Sequence, residues 1–152
     1  MVIADIFDYI TLRKGERRFL SGLRAGIHAA VLMDDDKLLA EMQALRDRIT
    51  GVTGTAVASR DGLIIREDTG GVNPDNLAAL TSAALSLAQR LAREAGQGTL
   101  REAVTRSSGG YVAIYAIGTS AVLVLLGDEG LDVTRLHRES RSVVENMEKL
   151  LA

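Results

Sequence analysis

Three stretches of the chain repeat apolar residues every three or four positions, which is the spacing of one face of a helix. The repeats predict helices over about 36–50, 74–95 and 132–151. Asn73 and Pro74 favour a helix start at that point, because Asn caps the first turn and Pro lacks only an N–H that the first turn does not use.

Shorter stretches rich in β-branched and apolar residues predict five strands. They lie at about 52–59, 63–65, 100–106, 111–117 and 120–126. The pair Asp61-Gly62 separates the first two and is typical of a tight hairpin whose two central residues both have positive φ. Arg101, Glu102 and Arg106 mark the third as an edge strand, since charges protect a free edge.

The predicted elements follow the order αββαβββα. Every link between consecutive strands is short, which predicts antiparallel pairing. The expected fold is therefore of the α/β (α+β) class, with one five-stranded antiparallel sheet covered by helices on both faces.

The helix predicted over 74–95 has no charged residue between Leu77 and Ala88. A seam of larger and small apolar residues follows its length at three- and four-residue intervals: Leu77, Leu80, Ala84, Leu87 and Leu91. A helix that is apolar or small all round is buried on more than one side. The sheet can cover one side, and a second copy of the same helix would cover the other. The alternative is a monomer in which the N-terminal segment covers it.

Composition limits the classes of function. The chain has 152 residues, 47% of them hydrophobic, and a net charge of −2, which fits one domain and disfavours general nucleic-acid binding. It has no cysteine and no Trp, so disulfides, thiolate chemistry and most stacking platforms for bases are excluded. We expect a cytoplasmic protein, because the start lacks the basic residues of a signal peptide. In addition, no apolar run approaches the length of about 18 residues that a membrane-spanning helix needs.

Residues 1–32 differ in charge from the rest of the chain. They hold five basic and three acidic residues, whereas 33–152 has a net charge of −4. We interpret 1–32 as a basic, helical N-terminal extension for peripheral contact with a membrane or a partner, and 33–152 as the domain proper. The alternatives are a helix docked on the domain, or residues upstream of a true start at Met33.

The chemistry of a catalytic or metal site is missing from the sequence. His28 and His137 are far apart, and His137 lies on a charged helix face typical of a solvated side chain. The run 34–36 of three Asp residues suits a helix N-terminus, and the run 107–110 lacks the lysine of a phosphate-binding loop. We expect no catalytic residue, cofactor or metal, and hence no enzyme.

Several short motifs, in order, resemble the roadblock family of dynein light-chain roadblock-type domains, which have a profilin-like fold. They are Val52-x-Gly54, Asp61-Gly62, Leu77-Ala78-Ala79-Leu80, Gly109-Gly110-Tyr111 and the entry to the last helix at 127–131. The resemblance covers about 33–152. The runs 109–112 and 125–132 are similar to the actinobacterial branch, whose members are typically encoded beside a sensor-kinase-like protein and a small Ras-like GTPase.

This resemblance implies a homodimer in which the long helix and the third strand pair and join two sheets into one. The implied interface consists of Leu77, Leu80, Ala84, Leu87, Leu91, Arg101, Ala103 and Thr105. It also implies a regulator that binds a small Ras-like GTPase and modulates its hydrolysis or localisation in signalling. The alternative is a non-catalytic scaffold or adaptor for a complex with a sensor histidine kinase-like protein at the membrane surface. A small-molecule sensor is a third hypothesis.

Overall fold

The structure, a computed structural model, describes residues 34–152. The predicted extension 1–32 lies outside the described residues. The elements are α1 (34–48), β1 (Val52–Ser59), β2 (Ile64–Asp68), α2 (Pro74–Glu94), β3 (Glu102–Ser107), β4 (Gly110–Ile117), β5 (Ala121–Gly127) and α3 (Val133–Leu151). The predicted element order and fold class are confirmed, and most boundaries agree within two residues.

The five strands form one antiparallel sheet in the order β2-β1-β5-β4-β3. The chain leaves β2 at one edge, passes along α2, and returns in β3 at the other edge. The strand that the charges marked as an edge is indeed at an edge. The most apolar strand, β5, lies at the centre, where both of its faces are covered.

One face of the sheet carries α1 and α3 and the larger core. Met42 and Leu45 of α1 and Leu136 of α3 pack there against Val57 and Leu123 of the central strands. All five side chains are fully buried. This face is a closed helix-on-sheet layer.

Of the described helices, α2 alone lies on the opposite face, over a smaller core. Leu85 of α2 packs against Val122 and Val124 of β5 and Ile114 of β4. Along β5 the side chains alternate, so that Val122 and Val124 face α2 whereas Leu123 and Leu125 face α1 and α3. The alternation explains why every position of β5 from 121 to 125 is apolar and buried.

The turn of the β1–β2 hairpin differs from the prediction. Gly62 N donates to Ser59 O at 3.0 Å, and Ser59 N donates to Leu63 O at 2.8 Å, which defines a three-residue loop over 60–62. Gly62 has a φ of 85°, but no residue other than glycine has a positive φ in the described chain. The expected two-residue turn, with Asp61 also at positive φ, is therefore wrong. A type I turn followed by a left-handed glycine takes its place, and β2 begins at Ile64 instead of Leu63.

Candidate interaction surface

The outer side of α2 is an exposed apolar stripe. Leu80, Leu87 and Leu91 are 70%, 65% and 70% exposed. The side facing the sheet carries Leu85 and smaller buried side chains. Large apolar side chains scattered singly on a surface need no explanation, but three in line on one helix face make this side of α2 a candidate interaction surface.

Of the other two predicted seam residues, one lies within that stripe and one at its border. Ala84 is exposed between Leu80 and Leu87. Leu77 is half-buried and packs against the core beneath α2. The structure thus brings four of the five predicted helix residues together on the free surface, with Leu77 at its border.

Close contacts fix α2 on the sheet. The Asn73 side chain accepts a hydrogen bond from Asn76 N at 2.9 Å and caps the helix, as predicted. Ser82 Oγ donates to Ser59 O at 3.1 Å, which ties the helix to the β1–β2 hairpin. Thr81 Oγ donates to Leu77 O within the helix, so the polar groups on the buried side are satisfied.

The predicted residues of β3 lie on the same side of the sheet as α2. Ala103 is paired with Ile114 and Thr105 with Val112, and both partners belong to or pack against the core beneath α2. Ala103 is half-buried, whereas Arg101 and Thr105 are exposed. Gln89 Oε1 accepts from Leu100 N at 3.1 Å and holds the chain entering β3 against α2.

Charged side chains lie along β3 on the opposite side of the sheet. His137 Nδ1 of α3 is 2.6 Å from Glu102 Oε1. The guanidinium of Arg106 lies over the Tyr111 ring, 5.8 Å from its centroid. The sequence had placed His137 on a solvated face, and it is partly exposed, but its pairing with Glu102 was missed. No sequence signal could have found this contact, because the two residues are 35 positions apart on different elements.

A buried phenol lies beside the contact between His137 and Glu102. Tyr115 is opposite Glu102 in the strand register, and its hydroxyl makes no well-formed hydrogen bond with the described residues. Burial raises the pKa of the Tyr115 hydroxyl to about 12. Nearby Ser140 acts in the lowering direction, and the charge of Glu102 acts in the raising direction. The phenol therefore stays protonated and carries no charge at neutral pH.

Two open depressions lie beside the sheet. One, of about 590 Å³, is lined by Arg106, Ser107, Ser108, Gly110, Tyr111 and Glu129. The other, of about 450 Å³, lies between α1 and β2.

Asp35, from the run of three Asp residues at 34–36, forms an ion pair with Arg66 of β2 at 2.8 Å. Over residues 34–152, no cluster of three or more His, Asp or Glu is placed to hold a metal ion.

The candidate surface thus consists of the exposed side of α2 and the neighbouring edge strand β3, on a profilin-like sheet. The sequence profile of a known family matches this chain. The profile of the Roadblock/LC7 domain matches residues 38–127, from α1 to the end of β5. The chain belongs to the Roadblock/LC7 domain family. The predicted family is therefore confirmed.

The similarity of this Roadblock/LC7 chain to two relatives covers nearly the whole length of each relative. An uncharacterized protein of Methanocaldococcus jannaschii is 27% identical over 116 residues, which is 76% of this chain and 97% of that protein. A Roadblock/LC7 domain from Streptomyces avermitilis is 24% identical with a TM-score of 0.67, covering 73% of this chain and 94% of that one. The actinobacterial branch stays a prediction.

The fold is shared with a more distant protein as well. The gliding protein MglB of Thermus thermophilus is 16% identical, with a TM-score of 0.68 over 77% of this chain and 90% of that one. At this identity the likeness establishes the fold alone. Within residues 34–152, this Roadblock/LC7 chain has no helix that is both long and apolar enough to cross a bilayer.

Proposed function

We propose that this Roadblock/LC7 protein is a homodimeric regulator that binds a small Ras-like GTPase and modulates its nucleotide hydrolysis or its localisation. The observation that carries the proposal is the stripe of Leu80, Leu87 and Leu91, which is exposed in a domain of this family. A solvent-facing stripe of this kind is stable when a second surface covers it.

A second copy of α2 is the occupant that fits the stripe best. Two facing copies would remove six largely exposed leucines from water, and burying one leucine fully is worth about 1.5–3 kcal/mol. Ala84 lies in the middle of the stripe and lets two helix backbones approach closely. The β3 edge lies beside α2 and would extend the interface along the sheet.

The proposed regulator would act on the GTPase by contact and positioning. Arg90 and Arg93 lie near the end of α2 and are exposed. We assign neither of them the role of an arginine finger, because position on a helix does not establish a contact with a transferred phosphoryl group. The paired helices would instead shape or hold the nucleotide site of the partner.

The dimer is tested by replacing Leu80 with Glu. The variant is expected to remain folded and to become monomeric, because a carboxylate in a desolvated seam is costly whereas at an exposed position it is not. Light scattering during gel filtration measures the mass against that of the 16.2 kDa chain. Leu63→Glu is the matched control, since Leu63 is 69% exposed but lies on the β1–β2 hairpin. A folded Leu80→Glu dimer would contradict the α2 interface.

The partner is tested by single-turnover GTP hydrolysis with the Ras-like GTPase encoded nearest this gene. The wild-type protein in excess is expected to change the hydrolysis rate or to comigrate with the GTPase, and Leu80→Glu to lose that effect. A changed rate supports a role in hydrolysis, whereas comigration alone supports a scaffold. Absence of both, with a dimer present, would contradict GTPase binding.

A further inference from the structure

Within residues 34–152, β3 is an edge strand, and at every second residue its backbone groups point away from β4. Ala116 N donates to Arg101 O at 3.4 Å, and Ser107 pairs with Gly110 across a two-residue turn. Both contacts place the hydrogen-bonding groups of the odd-numbered residues toward β4. In an antiparallel ladder these groups alternate in direction, so the N–H and C=O groups of Glu102, Val104 and Arg106 point to the free edge.

The same three residues share one face of the sheet. Glu102 is opposite Tyr115 and Arg106 is opposite Tyr111, on the side covered by α3. Val104 lies between them and is 37% exposed. The strand therefore presents an acid, an apolar residue and a base at two-residue intervals. This order is self-complementary, because an antiparallel copy of the strand presents a base opposite the acid.

We propose a single register for the β3–β3 pairing of that homodimer, with Val104 opposite Val104 of the partner subunit at the two-fold axis. Glu102 then lies opposite Arg106 of the partner subunit, and Arg106 lies opposite Glu102 of the partner subunit. The proposal rests on the homodimer proposed above and specifies its strand register and the residues that select it.

Neighbouring registers are less favourable on both charge and backbone grounds. A two-fold axis at residue 103 or 105 places one of the charged residues opposite Val104 and leaves the other beyond the pairing. An axis at 102 or 106 places like charges directly opposite each other, which is destabilising in a sheet. Of these registers, only the axis at Val104 pairs all three of Glu102, Val104 and Arg106 with residues of the partner strand. It is also the register that places each acid opposite a base.

The contacts within each chain are compatible with this register. His137 occupies one oxygen of Glu102, and a carboxylate can accept further hydrogen bonds at its other oxygen. Arg106 is held near the edge by the Tyr111 ring. On the other face the register pairs Ala103 with Thr105 of the partner subunit, and these small side chains leave room for two α2 helices. Charge pairs at such positions select register and partner more than they add affinity.

A charge exchange tests the proposed pairs. Glu102→Arg and Arg106→Glu each create two like-charge contacts in a homodimer, so each variant is expected to dimerise about tenfold more weakly than wild type. An equimolar mixture of the two variants is expected to regain a dimer within about threefold of the wild-type Kd, since both contacts in the heterodimer are then attractive. The double variant Glu102→Arg/Arg106→Glu should also dimerise as wild type does, which controls for damage to the fold. Failure of both rescues, with folded variants, would overturn the pairing.

Cross-linking tests the register independently of charge, because the wild-type chain has no cysteine. With the axis at Val104, a mixture of Ala103→Cys and Thr105→Cys chains forms a disulfide-linked dimer under mild oxidation, and neither variant alone does so. Cross-linking of Ala103→Cys alone would place the axis at 103, and cross-linking of Thr105→Cys alone would place it at 105. Either result overturns the register and leaves the homodimer standing. A wild-type chain that stays monomeric at every concentration overturns the homodimer itself.

Discussion

The two faces of the sheet both carry helices with leucine side chains, but these side chains differ in how much of them is exposed. Leu45 of α1 is 0% exposed in the core between α1, α3 and the sheet, whereas Leu87 of α2 is 65% exposed on the other side. Both are leucines on amphipathic helices that cover the same five strands. The difference is that residues 34–152 cover the first face completely but leave the outer side of α2 on the second face exposed.

Simple dimensions explain the difference. Five strands at about 4.8 Å spacing span about 20 Å, and a helix with its side chains is about 10 Å across. Two helices, α1 and α3, are enough to cover one face, but α2 alone covers only part of the other. We infer that the α1 and α3 face determines the stability of the chain and that the α2 face is available for association.

The largest expected effect comes from truncating a buried side chain on the face covered by α1 and α3. Leu45→Ala should lower the free energy of unfolding by about 2–5 kcal/mol, because it leaves a cavity among fully buried neighbours. Leu87→Ala is the matched change on the open face and should alter the stability of the monomer by less than about 0.5 kcal/mol. Urea unfolding of both in a Leu80→Glu background, which we expect to be monomeric, measures the effects on the chain alone. Equal losses would show that the two faces do not differ in this way.

An intermediate effect is expected where α2 meets the β1–β2 hairpin. A Cβ added to Gly62 would lie 3.1 Å from Ala79 Cα, and Gly62 has a φ of 85°. Gly62→Ala should therefore cost about 1 kcal/mol for the left-handed backbone and more for the displaced helix. Gly70→Ala is the control, because Gly70 also has a positive φ but meets no atom within 4 Å. If the two variants unfold at the same urea concentration, the close approach of α2 contributes nothing.

The sequence allowed prediction of the fold and of where the open face would lie. Helical spacing located α2, whereas coverage of its outer side, which the uncharged stretch from Leu77 to Ala88 indicated, stays a prediction. The charges of β3 predicted an edge strand, and the sheet order places it at one. These features were predictable because each depends on residues close together in the chain.

Features that depend on distant residues or on fine backbone geometry were not predictable. The Asp61-Gly62 pair suits two kinds of hairpin turn, and the hydrogen bonds of Ser59 decide between them. His137 meets Glu102 only because α3 crosses the β3 side of the sheet. The interface residues themselves stay a prediction, since exposure in one chain is compatible with the homodimer but does not demonstrate it.

The smallest expected effect concerns Tyr115, a polar group within the closed face. Its hydroxyl is buried without a well-formed hydrogen bond in the described chain, so Tyr115→Phe should leave the free energy of unfolding at pH 7 unchanged or raise it by up to about 1 kcal/mol. In the folded chain its pKa is raised from 10.0 to about 12. The folded state therefore holds this proton more tightly than the unfolded state, and the associated stability is present below pH 10 and lost as the pH rises toward 12.

Tyr115→Phe should accordingly lose less stability than wild type between pH 10 and 12. Tyr111→Phe, which keeps the buried phenol, should lose as much as wild type does. Urea unfolding across this range gives the comparison, and the phenolate absorbance of the folded proteins follows the titration directly. An equal alkaline loss in Tyr115→Phe and wild type would mean that water reaches the Tyr115 hydroxyl. The α1 and α3 face would then be less completely closed than the burial of Leu45 and its neighbours indicates.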